Sequence, residues 1–65
     1  MPNPTGPDLR RQRRAAEITV TAVASEMGIS RQAVHGIERA AAPDQERVAQ
    51  YRAALARLAG GRLAS

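Results

Sequence analysis

Apolar residues recur every three to four positions over most of the chain, which is the spacing of amphipathic α-helices. Leu9, Arg13 and Ala16 fall at i, i+4 and i+7, so a first helix from Asp8 to about Ala16 would place them on one inner face. That inner face includes an arginine. Residues 1–7 carry three of the four prolines and no charged side chain, and they predict a flexible N-terminal tail.

Two shorter helices follow, separated by three residues. Thr19 is placed to cap a helix over 20–27, because its hydroxyl can accept an amide of the first turn, and Gly28 is suited to end that helix. Ser30 is placed in the same way to cap a third helix over 31–39. The residues that these two helices would turn inward are Val23, Ala24, Met27, Val34, Ile37 and Glu38.

The last predicted helix starts near Pro43 or Asp44 and ends at Ala59, where Gly60 and Gly61 would act as a stop. Its apolar residues are spaced 3, 4 and 3 positions apart, as in a heptad seam, and they are Val48, Tyr51, Leu55 and Leu58. This seam either packs on the other three helices or pairs in part with a second subunit.

The chain of 65 residues has room for one small domain. The predicted fold is all-α, with four helices over 8–59 and a C-terminal tail over 60–65. Alanine supplies 14 of the 28 apolar residues, so the core is thin. Small domains bury a smaller fraction of their surface on folding than large domains do, and a homodimer would therefore supplement this core.

Composition excludes several kinds of chemistry. The absence of cysteine excludes disulfides, thiolate zinc sites and a cysteine nucleophile. His35 is the only histidine, so a metal site built on histidine would need other ligands. No nucleophile, base and orienting group occur at useful spacing, and we expect no catalytic residue, metal, cofactor or small-molecule ligand. Without a long apolar run or a signal-peptide pattern, we expect a soluble intracellular protein that is not associated with a membrane.

The chain carries a net charge of +4, and all ten of its basic residues are arginine. The guanidinium group matches the geometry of phosphate and guanine, so this balance favours a nucleic acid as partner. A GC-rich coding genome, in which arginine stands in for lysine, would produce the same composition.

The sharpest motif is the stretch 18–38, in which two short helices meet at a glycine turn. A helix-turn-helix has this layout, since its first helix crosses the DNA backbone while the second lies in the major groove. Ala24 suits the close approach of the two helices and Gly28 suits the turn. Val34 and Ile37 would form the buried back of the second helix.

With Arg13, Ala24, Gly28 and Glu38 at matching positions, residues 8–55 resemble the Cro/CI family of phage and bacterial repressors. The resemblance implies a five-helix type of fold, here shortened to four helices, and an internal ion pair between Arg13 and Glu38. Two departures stand out. Ala40 replaces the glycine that the family usually has two residues after the glutamate, and no separate fifth helix is expected.

The resemblance also places Arg31 and Gln32 at the start of the recognition helix, where arginine suits guanine and glutamine suits adenine. Gly36 fits either a close backbone approach to DNA or a tolerated surface glycine, and His35 either touches a phosphate or is solvated. The expected base contacts are Arg31, Gln32, Ala33 and Gly36. The expected phosphate contacts are Arg10, Arg14, Thr19, Ser30, His35 and Arg39.

The favoured function is that of a Cro-like repressor, a homodimer that reads a two-fold symmetric operator in double-stranded DNA through the major groove. One alternative stays with DNA and is an architectural or directionality factor for recombination, or an antitoxin. The other is a protein-interaction module that uses the seam of the last helix.

Overall fold

The structure is a computed structural model that describes residues 4–64, with the side chains of 4–60. Within residues 4–64 it contains four helices: α1 (Gly6–Ala15), α2 (Val20–Met27), α3 (Arg31–Arg39) and α4 (Gln45–Ala64). No strand occurs among the described residues, which confirms the all-α fold class. In the same part of the chain, no helix is long and apolar enough to cross a membrane.

Helix α1 begins at Gly6, two residues before the expected start at Asp8. Its N-cap is Thr5, whose hydroxyl accepts the Asp8 amide at 3.3 Å while the Asp8 carboxylate accepts the Thr5 amide at 3.0 Å. This capping box satisfies two amides at the helix start, and Pro7 suits the first turn. The boundary of the N-terminal tail at residue 7 is therefore wrong, and its residues 1–3 lie outside the described residues.

The start of α1 is docked against the end of α3. The amide of Gly6 donates to the carbonyl oxygen of Ala40 at 2.8 Å, which satisfies a donor of one helix and an acceptor beyond the other. A Cβ at Gly6 would lie 2.6 Å from that oxygen and closer still to the carbonyl oxygen of Ile37. Glycine is therefore required at this crossing, and α3 ends at Arg39 although Ala40 replaces the usual glycine.

Helices α2 and α3 have the bounds and caps that the sequence predicts. The hydroxyl of Thr19 accepts the Ala22 amide and that of Ser30 accepts the Ala33 amide, each at 3.1 Å. Gly28 ends α2 with a left-handed backbone at φ 69°, which glycine adopts without strain. Three residues thus separate two short helices that pack on each other, as in a helix-turn-helix.

The core lies between α4 and the other three helices. Its buried apolar residues are Leu9, Ile18, Val23, Ala24, Val34, Val48, Tyr51, Ala54 and Leu55. Leu58 is partly buried against them. The seam of α4 is therefore used inside the chain. Val48, Tyr51 and Leu55 have little surface left for a partner, so they argue against the interpretation of this seam as a subunit interface.

Helix α4 continues to Ala64, so Gly60 and Gly61 do not end it and the expected tail over 60–65 is wrong up to residue 64. Glycine ends a helix when it takes the left-handed conformation, as Gly28 does, whereas Gly60 keeps a helical backbone. Ser65 lies outside the described residues. Farther back on α4, Arg57 pairs with Glu26 of α2 at 2.5 Å and ties the two helices together at their surface.

The close approach at Gly6 leads to a stability prediction. Gly6→Ala should lower the free energy of unfolding by about 1–3 kcal/mol, because the methyl group would collide with backbone that cannot move aside cheaply. Gly36→Ala is the matched control, since nothing lies within 4 Å of a Cβ there and the exposed helix would gain up to about 1 kcal/mol. Urea denaturation measures both. Equal changes in the two variants would contradict the docking of α1 on α3.

Candidate nucleic-acid interface

Helix α3 has a buried side and an exposed side. Val34 and Glu38 are buried, and Ile37 is half-buried against the core. The other six residues of the helix are exposed, and they are Arg31, Gln32, Ala33, His35, Gly36 and Arg39. Because residues four apart share a helix face, Arg31, His35 and Arg39 form one row along the exposed side.

The first turn of α3 carries three of the four expected base contacts. Arg31, Gln32 and Ala33 are all exposed there. Arginine and glutamine can each form two hydrogen bonds with one base edge, which is how side chains distinguish base pairs in the major groove. Gly36 lies one turn after Gln32, and nothing is within 4 Å of a Cβ placed there, so packing inside the chain does not require glycine.

A groove between α1 and α3 brings three of the expected phosphate contacts together. Arg10 of α1 faces His35 and Arg39 of α3 across a cavity of about 220 Å³. Arg13 and Glu38 also line this cavity. The side chains of these two residues are only 11% and 3% exposed, so they form its floor. The groove is thus an opening with two arginines and a histidine around it and a buried ion pair below.

The other expected phosphate contacts lie outside this groove. Arg14 is exposed one turn after Arg10 on α1, and both line a second depression, which is formed by residues of that helix, including Pro7. Thr19 and Ser30 are exposed at the N-termini of α2 and α3, where their hydroxyls act as caps. The helix-capping role of these two residues accounts for their position without a ligand, while the neighbouring N-terminal amides suit an anion.

The charge on α1 and α3 is strongly positive at the surface. The two helices contain six arginines and two acidic residues. Both acidic side chains are paired with arginines of α1, Asp8 with Arg11 at 3.4 Å and Glu38 with Arg13 at 2.7 Å. Among the described residues, no ion pair includes Arg10, Arg14, Arg31 or Arg39. This surface therefore attracts a polyanion.

Beneath the surface, the structure brings Arg13 and Glu38 together in a bidentate ion pair. Arg13 Nε donates to Glu38 Oε2 at 2.7 Å, and Nη2 donates to Oε1 at 3.2 Å. Its third nitrogen, Nη1, donates to the carbonyl oxygen of Ile18 at 2.9 Å. Sequence reasoning missed the third member of this cluster, Tyr51, whose hydroxyl donates to Glu38 Oε2 at 2.5 Å. The cluster joins α1, α3 and α4.

Burial and hydrogen bonding act in opposite directions on this cluster. Burial raises the pKa of Glu38, but the hydrogen bonds from Arg13 and Tyr51 and the charge of Arg13 outweigh it and hold the pKa below its ordinary value. Burial, together with the hydrogen bond to Glu38, raises the pKa of Tyr51 far above its ordinary value. The hydroxyl therefore remains a donor and the carboxylate remains an acceptor at neutral pH.

The carboxylate in another cavity already has a structural role. An open depression of about 690 Å³ lies between α1 and α4, and its only carboxylate, Asp8, is already used to cap α1. Within the described residues, no group of three metal-binding side chains occurs.

One comparison with known proteins found a match. A family model described as helix-turn-helix matches residues 9–59, which is 51 of the 65 residues. The chain belongs to this family, the XRE-type helix-turn-helix proteins with Cro- and CI-like members, and the resemblance predicted from the sequence is confirmed. No curated protein and no solved structure matched the chain. The protein is thus a DNA-binding transcription regulator of the XRE type, a family that is generally non-enzymatic.

The buried cluster leads to a prediction about acid. Since the pKa of Glu38 is lowered from 4.5, the unfolded chain binds more protons than the folded chain in acid. The stabilisation by ionised Glu38 is therefore complete above about pH 4.5 and is lost as the pH falls through the lowered value. Urea denaturation from about pH 6 to about pH 3 should show this loss in the parent. Tyr51→Phe should lose less stability than the parent over this pH range, because one hydrogen bond to Glu38 is already missing. At neutral pH it should be about 1.5–3 kcal/mol less stable than the parent.

The matched control is Asp8→Asn. The backbone and side chain of Thr5 hold the pKa of Asp8 below its ordinary value, so this exposed carboxylate contributes in the same pH window. Asp8→Asn should keep the part of the acid response that comes from Glu38.

Arg13→Ala, which leaves Glu38 buried without its cation, should lower the free energy of unfolding by about 3–5 kcal/mol. An Arg13→Ala variant that melts like the parent would contradict the pairing.

Proposed function

We propose that the protein is a Cro-like repressor of a phage or its bacterial host, which binds a two-fold symmetric operator as a homodimer. The observation that carries this proposal is the exposed first turn of α3 beside an arginine-rich α1. A recognition helix needs base-reading side chains at its N-terminus and cations nearby for the backbone. Residues 8–59 would constitute the DNA-binding domain, acting on the nucleoid in the cytoplasm.

Residues in the first turn and the middle of α3 would contact the bases. Arg31 would bind O6 and N7 of a guanine and Gln32 would bind N6 and N7 of an adenine. Ala33 would contact a thymine methyl group. Gly36, which packing does not require, would let the helix backbone come close to the base edges. The exposure of all four residues supports these roles.

Phosphate contacts would come from the residues that surround α3. The three residues of the groove, Arg10, His35 and Arg39, would hold one strand of the backbone, and Arg14 would extend the contact along α1. Thr19 and Ser30 would bring the N-termini of α2 and α3 to phosphates, where helix dipoles favour anions. Arg13 and Glu38 would have a structural role as the ion pair that holds α3 on α1.

A homodimer fits both the thin core and the expected symmetry of the operator. Its two recognition helices would enter the major groove about 34–36 Å apart, which is one turn of DNA. Val48, Tyr51 and Leu55 are buried within the chain, so the interface would use other residues. The same burial argues against a protein-interaction module that uses this seam.

Selection of bound duplexes from a randomised DNA pool tests the proposal. We expect an inverted repeat whose half-site centres are about 10 base pairs apart, and an affinity that falls steeply with salt. Light scattering in solution should show two copies of the chain per operator. An enriched site without a repeat would contradict the dimer, and the absence of any enriched site would contradict operator recognition.

Arg31→Ala tests the reading of bases. We expect preference to relax at one position of each half-site, by about 1–3 kcal/mol, with the other positions unchanged. Arg47→Ala is the control, because Arg47 is exposed on α4 and its guanidinium contacts Gln50 of the same helix. The two variants have the same net charge. If Arg31→Ala selects the same motif as Arg47→Ala, Arg31 does not read a base.

A further inference from the structure

The groove between α1 and α3 differs from the rest of the basic surface because it contains a group that can change its charge. Arg10 and Arg39 stay cationic at every physiological pH. His35 lines the same cavity, and imidazole is the side chain that changes its charge between about pH 5 and pH 8 in ordinary surroundings. His35 is the only histidine of the chain. Any proton that the groove takes up near neutral pH is therefore carried by this side chain.

The charges that face His35 come from both helices that form the groove. Arg10 and Arg13 of α1 and Arg39 of α3 are cations and oppose a further positive charge. Glu38 is the one anion, but it accepts hydrogen bonds from Arg13 and from Tyr51 of α4. The empty groove thus has an excess of positive charge.

A phosphate diester would reverse this balance. It carries one negative charge and only accepts hydrogen bonds, so it suits a site whose walls are guanidinium groups. Neutral imidazole offers one N–H donor, whereas the protonated ring offers two donors and a positive charge. An anion in the groove would therefore bind more tightly when His35 is protonated.

We propose that this groove binds one phosphate of the DNA backbone and that His35 takes up a proton from solvent as the phosphate enters. The proposal rests on the DNA binding described above and adds a specific subsite and its linkage to pH. Its location agrees with the docking of a recognition helix, whose first turn meets the bases while its later turns approach the backbone. DNA affinity then rises as the pH falls through the neutral range.

The test measures the affinity for the selected duplex by fluorescence anisotropy at about pH 8, 7 and 6, with constant ionic strength. The parent should bind more tightly at each lower pH, by several-fold and by at most about tenfold per unit for one proton. His35→Gln should remove this dependence. It keeps the α-amino group, which also titrates near neutral pH, so any dependence that remains belongs to that group or to another.

Two arginine variants separate the groove from general electrostatics. Arg39→Gln should weaken binding at every pH and reduce the pH dependence, because the phosphate is held less firmly beside His35. Arg52→Gln removes the same charge from α4, outside the groove, and its DNA affinity should change with pH as much as that of the parent. Circular dichroism at each pH confirms that all variants are folded, as their exposed positions predict.

The outcomes distinguish this inference from the proposed function. Sequence-selective binding with no pH dependence would contradict the proposed phosphate subsite and leave operator recognition intact. A pH dependence that His35→Gln retains would do the same. An Arg39→Gln variant whose affinity changes with pH as much as that of the parent would also contradict the subsite. A parent that selects no duplex at any pH would contradict operator recognition, and the phosphate subsite with it.

Discussion

The position of the recognition helix depends on one buried ion pair. Arg13 and Glu38 lie on different helices, are 25 residues apart in sequence and share two hydrogen bonds. A buried ion pair adds little net stability, because desolvation costs about as much as the charges gain, but its geometry is demanding. The carboxylate must meet the flat edge of the guanidinium group. That requirement restricts how α3 can slide or rotate on α1, and Tyr51 adds a third hydrogen-bonded element from α4.

The same short helix serves the core and the surface. Glu38 and Val34 face inward, and the residues beside them in sequence, His35 and Arg39, face the groove. Glycine at position 6 lets the start of α1 come within hydrogen-bond distance of Ala40, just beyond α3. α1 therefore lies close enough for its arginines to form the second wall of the groove. Packing and electrostatics at the interface are thus two consequences of one helix crossing.

Sequence reasoning succeeded where the interaction is local. The caps at Thr19 and Ser30 span three residues, and the left-handed turn at Gly28 follows from the lack of a side chain, so the recognition unit was predictable. It failed where the partner is distant. The sequence pattern places Tyr51 in an apolar seam and gives no sign that its hydroxyl donates to Glu38, which is 13 residues away. The prediction that Gly60 ends α4 was wrong for another reason, since glycine permits a left-handed backbone without requiring it.

The surface charge that attracts DNA also arises from internal pairing. α1 and α3 have two carboxylates, and the fold gives each of them an arginine partner. The other arginines of these two helices form no ion pair with any described residue, so positive charge is concentrated on this surface. In the proposed function, the buried pair would contribute to DNA binding in two ways. It would orient the helix proposed to read the bases, and it neutralises the carboxylate that would otherwise repel a phosphate from the floor of the groove.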